Sequence, residues 1–336
     1  MRVLYGILLN GNGHIYRSKG IIDSLAKRGI QVDVLFSGDR PYGLVESLDF
    51  NVVGSLRAPV VQSKNGRMDF AKSVASLFQA GFVKREVDLP ERYDLVISDF
   101  EPFSIIYAKK HKIPSIGLSN QYDQIARKKL SILGILSKIY APVDIPIGFS
   151  FVKTPWSLPP MLTPDIREIV PSKGDFTLVY LPWEEIDQVS SLLAQTKGHF
   201  KVYTDKCPPG RSGDVEFNSP DRESFIKDLS RCASVVANCG FGLLSEALFF
   251  GKSILAKPLT LQLEQVANSS ILKRHNLARV TNCLTPELIE GLQGAGNPER
   301  KLYPDYSGAL ADWITQGDYG SKSRLIDEAW GDLEVQ

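Results

Sequence analysis

Two glycines and a carboxylate, Gly240, Gly242 and Glu246, open an apolar helical run in Asn238-Cys239-Gly240-Phe241-Gly242-Leu243-Leu244-Ser245-Glu246-Ala247. Glycine lets a backbone turn tightly and come close to a ligand. The first amides of the helix behind such a turn, together with the positive end of its dipole, attract anions, most often phosphate. Phe241, Leu243 and Ser245 belong to the same turn and first helical turn. Glu246, one turn further in, would repel a bound diphosphate, so its natural partner is a neutral diol such as a ribose 2′/3′ pair. After the next strand, Pro258 leads into Gln262, Glu264, Gln265 and Asn268, four polar residues able to reach sugar hydroxyls. A bare Gly-x-Gly before a helix is more often only a tight connection, with Glu246 a solvated helix residue. The polar cluster at fixed spacing downstream turns the reading toward a nucleotide-sugar pocket.

A second constellation stands near the N-terminus, in Gly11-Asn12-Gly13-His14. It is not a dinucleotide fingerprint. The third glycine would fall at Tyr16, and the ribose carboxylate expected to close the second strand is absent or displaced to Asp39, which discounts NAD and FAD. His14 opens a helix. A neutral imidazole there can deprotonate an acceptor hydroxyl, and the helix N-terminus favours the neutral form. The plainer alternative is a helix residue bonded to a loop. Asp99 and Glu101 end the strand Leu95–Ser98, where either could orient His14 or act as the base itself. Either could equally cap the next helix, and Pro102 favours that local role for one of them. Arg17, with Gly11, Asn12 and Gly13, is a candidate phosphate or acceptor contact. Asn120, Gln121 and Asp123, after the next strand, are candidate acceptor contacts.

These residues need strands and helices in alternation to hold them. Arg2 to Leu9 reads as a buried parallel strand, and Ile15 to Arg28 as a helix capped by Gly29. Strands follow at 31–36, 51–53, 93–98 and 114–118, with helices at 42–48, 70–87 and from 99 through Lys110. Prolines at 146, 155, 159, 160 and 164 break the rhythm, so 145–164 reads as a linker with a short strand at 149–153. A second set then runs through strands at 177–181, 201–203, 234–237 and 253–256. Its helices begin near 185, 222, 243 and 265, and more helix follows at 286–292 and 310–314. Alternation of this kind implies parallel βαβ units. Both glycine turns lie at carboxyl ends of strands, where open α/β sheets bind their ligands.

Residues 238–268 resemble the donor-binding signature of GT-B glycosyltransferases: Gly-x-Gly-x-x-Ser-Glu-Ala-x-x-x-Gly-x-x-x-Leu-x-x-Pro, then a Glu-Gln pair and an Asn. The Gly-x-Gly-His14 turn is similar to the one near the N-terminus of the same enzymes, and the order of elements fits nearly the whole chain. The relatives suggested are the MurG-like N-acetylglucosaminyltransferases and the wider UDP-glycosyltransferase superfamily. The resemblance implies an α/β GT-B fold, two Rossmann-like doubly wound domains with an interdomain cleft. Residues 1–160 would bind the acceptor and 161–310 the nucleotide sugar, with 311–336 a C-terminal helix crossing back. It also implies inverting transfer of a hexosyl or N-acetylhexosaminyl group from a nucleotide donor, UDP-linked by preference, to an acceptor hydroxyl, with cell-envelope glycan synthesis as the expected setting. One departure stands out. The relatives' second glycine-rich phosphate loop, due after the strand at 177–181, is replaced by Pro182-Trp183-Glu184-Glu185.

Composition sets bounds on partners. The chain has 336 residues, 43% hydrophobic and 23% charged, with net charge +1, enough for two cores. Residues 1–160 carry net +7 and the remainder −6. A basic first half suits an anionic acceptor or a membrane surface. The segment 125–140, basic and then apolar, would serve as an interfacial helix, or as a helix buried in the first domain. Cys207, Cys232, Cys239 and Cys283 make no Cys-x-x-Cys pair and no metal spacing with the four histidines, and free thiols suit a reducing cytoplasm. There is no signal-peptide pattern, no spanning run and no Asp-x-Asp motif. The expectation is a cytoplasmic protein, peripheral at most to the inner face of the plasma membrane, with no cofactor and no obligatory metal. Its partners would be a nucleotide sugar and a glycan, lipid-linked or small-molecule acceptor, with no nucleic acid. A nucleotide-sugar 2-epimerase or hydrolase on the same fold, and a non-catalytic binder, remain as alternatives.

Overall fold

The structure is a computed structural model. It describes residues 1–9, 12–38, 49–57, 63–64, 67–68, 89, 92–127, 140–260, 262–294, 296 and 298–331. The helices expected at 42–48 and 70–87, Gly11, Asp39 and the span 128–139 of the basic-apolar segment lie outside the described residues. The chain forms two compact units: Met1–Val61 with Phe70–Thr163 and Tyr303–Val335, and Gln62–Asp69 with Pro164–Leu302.

The first unit is built on β1 (Arg2–Leu8), α1 (Asn12–Ala26), β2 (Gln31–Ser37) and β3 (Val52–Leu56). A small antiparallel hairpin, β4 (Ser63–Lys64) and β5 (Arg67–Met68), stands outside the main sheets. Then come β6 (Leu95–Asp99), α2 (Pro102–His111), β7 (Ser115–Leu118), α3 (Asn120–Arg127), β8 (Ile145–Phe149) and β9 (Ser157–Leu158). The sheet order is β3-β2-β1-β6-β7-β8-β9, parallel throughout. β1 is covered on both faces, so Val3, Leu4, Tyr5 and Ile7 are all fully buried, and it reads as a continuous apolar run rather than an alternating one.

Residues 145–164, expected as a linker, instead carry the last two strands of this sheet. Pro146 is tolerated because of where its nitrogen faces. Residues two apart in a strand present N–H to the same side, and Gly148 N–H donates to Trp156 O at 3.0 Å on the β9 side. At Pro146 that side has no partner strand, since β9 pairs only with Gly148 and Phe149. The missing donor therefore costs no ladder bond.

The second unit runs α4 (Pro164–Arg167), β10 (Phe176–Tyr180), α5 (Ile186–Ala194), β11 (His199–Tyr203), β12 (Gly210–Ser212), β13 (Val215–Asn218) and α6 (Arg222–Arg231). It continues with β14 (Ser234–Asn238), α7 (Phe241–Phe249), β15 (Ser253–Lys257), α8 (Leu263–Arg274), β16 (Arg279–Val280) and α9 (Pro286–Gln293). Its order is β12-β13-β11-β10-β14-β15-β16, antiparallel only at β12. Three short strands, β12, β13 and β16, escaped the sequence reading. β12 is exposed at every residue and turns into β13 at Gly213 (φ +60), so no apolar periodicity marks it.

The chain then rejoins the first unit through α10 (Ser307–Gln316) and α11 (Lys322–Trp330). The return to the first unit starts at Tyr303, and two tyrosines anchor it. Tyr303 Oη donates to Phe151 O at 3.3 Å and Tyr306 Oη to Pro159 O at 2.6 Å. Arg28, just past α1, grips α10 through Asp312 (2.6 Å) and Gly308 O (2.9 Å), and Trp330 Nε1 donates to Ser157 O at 2.7 Å.

In each sheet the chain reverses direction of winding at one place. In the first unit this lies between β1 and β6, and in the second between β10 and β14. Parallel α/β sheets open a crevice at such switch points, at the carboxyl ends of the strands.

Candidate active site

At the switch point of the first unit, β1 delivers His14 on the first turn of α1, and β6 delivers Asp99 as its last residue. His14 Nδ1 lies 3.0 Å from Asp99 Oδ1. Arg17, one turn further along α1, forks onto the same carboxylate: Nε to Oδ2 at 3.1 Å, Nη2 to Oδ2 at 2.8 Å and Nη2 to Oδ1 at 2.5 Å. Ser18 Oγ adds a bond to Oδ2 at 3.3 Å. The Arg17 guanidinium also stacks over the Phe149 ring, 4.9 Å from its centroid. Asp99 is fully buried. Burial opposes its ionisation, but the Arg17 charge and His14 outweigh burial and bring its carboxyl down to about 2. Hydrogen on Nδ1 would satisfy the ionised Asp99, which only accepts hydrogen bonds, and leave the Nε2 lone pair available; Arg17 Nη2, a donor, also stands 3.1 Å from Nδ1.

Glu101 takes the other role left open for this pair. It is the N-cap of α2, accepting from Phe103 N at 2.9 Å and Ser104 N at 2.7 Å, with Pro102 in the first turn. It is fully buried, and burial pushes its carboxyl up. Phe100, between the two carboxylates, has φ +55, and the ring of this left-handed residue packs edge-on against Tyr122. That kink lets neighbouring acids serve different elements. Gly6 on β1 makes room for the arrangement, since a Cβ there would stand 2.6 Å from Glu101 Oε2.

The remaining candidates of this unit divide. Gly13 is exposed and Asn12 opens α1. Asn120 is buried at the start of α3, and Gln121 Oε1 accepts a short bond from Ser119 Oγ. Asp123 is a structural anchor, its Oδ1 accepting from Ser157 Oγ (2.5 Å), Trp156 Nε1 (2.9 Å) and Thr154 Oγ1 (3.4 Å).

In the second unit, β14 ends at Asn238 and α7 begins at Phe241, two residues earlier than its sequence suggests, with Gly240 as N-cap. Its N-cap is a glycine, which has no side chain to offer the first amides, and a helix N-terminus of this kind suits an anion. Ser245 Oγ bonds back to Phe241 O at 2.7 Å. Glu246 is buried and held by a residue the sequence reading did not single out. Arg222, first residue of α6, donates Nη2 to Oε1 at 2.7 Å and Nη1 to Oε2 at 3.2 Å. A carboxylate has about four acceptor positions, so this fork orients Glu246 and still leaves room for a diol.

The downstream cluster chiefly shapes the loop. Gln262 caps α8 by accepting from Gln265 N (2.7 Å), Gln265 Oε1 accepts from Leu259 N (2.8 Å), and Asn268 Nδ2 donates to Cys239 O (3.0 Å). Asn268 thus ties α8 to the glycine turn, while Glu264 is half-buried. Where the relatives' phosphate loop was missing, Glu184 folds onto Lys257 at 2.6 Å and lies 3.4 Å from Asn238 Nδ2. These three residues stand just past or at the carboxyl ends of the neighbouring strands β10, β15 and β14. The signal in the sequence was the Pro182-Trp183-Glu184-Glu185 replacement itself. Among the described residues no group of His, Cys, Asp and Glu could hold a metal ion, and no helix is long and apolar enough to cross a membrane.

Comparison with solved structures gives matches along almost the whole chain. The UDP complex of UGT89C1 from Arabidopsis thaliana has TM-score 0.61 at 15% identity, covering 98% of this chain and 99% of that one. The glycosyltransferase SnogD from Streptomyces nogalater has TM-score 0.52 at 14% identity, covering 98% and 96%. The dTDP complex of the glycosyltransferase VinC has TM-score 0.52 at 15% identity, covering 98% and 100%. At this identity the likeness is one of fold, and the fold is GT-B. No curated protein matches the chain by sequence. The sequence does match the profile of Glycosyl transferase family 1, over residues 1–133 and 149–292. With the two doubly wound units and their switch-point sites in place, that match assigns the chain: it belongs to glycosyl transferase family 1.

Proposed function

We propose that this glycosyltransferase moves a sugar from a nucleoside diphosphate donor, UDP-linked by preference, to an acceptor hydroxyl, with inversion and without a bound cofactor. The observation that carries the reading is the 3.0 Å contact of His14 Nδ1 with Asp99 Oδ1: with hydrogen on Nδ1, Nε2 is able to take a proton. In this reading Nε2 removes the hydroxyl proton as the acceptor oxygen bonds to the anomeric carbon and the bond to the diphosphate oxygen breaks. The first turn of α7 then stabilises the departing negative charge. Glu246, aligned by Arg222, accepts from the ribose diol. The solved complexes with UDP and dTDP support a nucleotide donor, and the second of them keeps the thymidine series open. A lipid-linked or glycan acceptor of the cell envelope rests only on the resemblance to MurG-like enzymes and on the basic first half.

The test is calorimetric titration of the protein with UDP, dTDP, GDP and CDP and their glucose or N-acetylglucosamine esters, followed by acceptor screening with the donor that binds. Selective binding of one nucleotide, lost at least tenfold in Glu246→Gln and retained in His14→Gln, together with transfer abolished in His14→Gln, is the expected outcome. Binding unaffected by Glu246→Gln sinks the donor assignment. Donor cleavage without any acceptor at an undiminished rate would favour a hydrolase.

A further inference from the structure

We infer that Arg17 is a positioning residue that neutralises Asp99, so that Asp99 can orient His14 without drawing a proton onto it. The inference rests on the proposed role of His14 and deepens it.

Three distances define the arrangement. Asp99 Oδ1 is 3.0 Å from His14 Nδ1, Arg17 Nη2 is 2.5 Å from that same Oδ1, and Arg17 Nη2 is 3.1 Å from His14 Nδ1. Arg17 has no acceptor and cannot lose its charge. The short approach of Nη2 to Nδ1 is therefore a contact between two donors once Asp99 has selected hydrogen on Nδ1. A carboxylate paired only with a histidine does two things: it aligns the ring, and it favours the imidazolium. The second effect works against a base, which has to start the reaction unprotonated. Here the buried fork of Arg17 supplies the positive charge that Asp99 would otherwise take from a protonated His14, and it sets a permanent cation against the ring. Asp99 keeps its alignment of the ring while its charge is met by Arg17.

The charged and titratable groups that interact with Asp99, among the described residues, come from few elements, and the buried Tyr122 phenol of α3, like Tyr5, is pushed up by burial. Arg17 lies on α1 and Asp99 at the end of β6. Glu101, just beyond, has its oxygens turned onto the Phe103 and Ser104 amides of α2. Tyr5 of β1 is a buried phenol whose ionisation burial pushes further up, so it stays neutral. Ser119, between β7 and α3, offers only a hydroxyl, 3.5 Å from Arg17 Nη2. Among the described residues, the charged side chain bonded to Asp99 beside His14 is accordingly that of Arg17.

The experiment reads the imidazole directly and needs neither donor nor acceptor, so it stays interpretable even if no transfer is found. The protein is labelled at histidine Cε1. Its four histidine signals are titrated by NMR, and the His14 signal is assigned by its loss in His14→Gln. In Arg17→Gln, which keeps a hydrogen-bond donor toward Asp99 but no charge, the His14 midpoint rises by about one to two pH units over wild type. Arg17→Lys, which keeps the charge, stays within about half a unit of wild type by the same reasoning. If transfer is established, the acid limb of kcat/KM moves with the midpoint. An unchanged midpoint in folded Arg17→Gln overturns the inference and leaves Arg17 a purely structural residue. If Arg17→Gln does not fold, the pairwise variant Arg17→Gln/Asp99→Asn decides. The inference expects a midpoint near wild type, since a self-cancelling pair has been removed. A fall of more than about one unit would mean that Asp99 acts on His14 unopposed, and would overturn it.

Discussion

Replacing Asp99 by asparagine removes one charge from the centre of a fully buried network and leaves the Arg17 guanidinium, itself only 7% exposed, without its counter-ion. Two routes give the magnitude. The Asp99 carboxyl is brought from 3.8 to about 2; at about 1.4 kcal/mol per unit, the ionised form is favoured in the folded protein by about 2–3 kcal/mol. Removing one partner of a buried pair costs about 3–5 kcal/mol, because the other charge is left uncompensated. We expect Asp99→Asn to lose about 3–5 kcal/mol at pH 7. The sign of the pH dependence follows from a depressed carboxyl. Its contribution is present above the unfolded value and is lost as pH falls from 3.8 through about 2, so wild type and variant converge only in that acid window. The assay is urea denaturation followed by tryptophan fluorescence, which reports mainly the first unit. Trp156, Trp313 and Trp330 belong to it and only Trp183 to the second. Arg17→Met/Asp99→Asn, which removes both charges, should recover part of the loss. A loss in Asp99→Asn below about 1 kcal/mol, or a double variant no better than the single, would refute the picture of a buried, mutually dependent pair.

Three further substitutions, one of them a control, probe the scaffolding of the sites. Gly6→Ala brings a methyl to 2.6 Å from Glu101 Oε2, so the α2 cap must shift. The expected cost is about 1–3 kcal/mol, read as a lower urea midpoint, while Ala in place of the exposed Gly13 is expected to be nearly silent in the same measurement. Asn268→Ala leaves the buried Cys239 carbonyl without the bond Asn268 Nδ2 gives it. We expect about 1–3 kcal/mol of lost stability and weaker nucleotide binding by calorimetry, because the glycine turn loses its tie to α8.

Much of the fold could be read from the chain because its central strands are covered on both faces. The runs at 2–8, 95–99 and 234–238 contain few polar residues, and their ends coincide with turn or cap residues. What could not be read was governed by partners distant in sequence. The strands at 145–149 and 157–158 look like a proline linker until the empty side of Pro146 is known. The α7 start moved to Phe241 because Gly240, in extended conformation (φ −71, ψ 136), caps without a side chain. In the first site, the choice between Asp99 and Glu101 was ambiguous locally, since both precede Pro102. The positive φ of Phe100 separates their roles, and nothing in the residue type announces it. Arg222 and Lys257 were missed for a simpler reason: each is an ordinary surface-type residue whose partner, Glu246 or Glu184, is far away along the chain.

The route of the chain also governs when each unit can come into being. The second unit's sheet and its helices lie within 164–302, while the first unit's N-terminal sheet is sealed by α10 and α11, more than a hundred residues downstream of β9. During synthesis the second unit therefore has its described strands before the first unit, which carries His14, has α10 and α11. The contacts of Arg28 with Asp312, and of Trp330 with Ser157, are among the most non-local in the molecule, the kind whose closure slows folding. A ribosome stalled before residue 303 would thus hold a finished second unit and a first unit with an exposed apolar face, so losing residues 303–331 does its damage to the sheet that begins at Arg2.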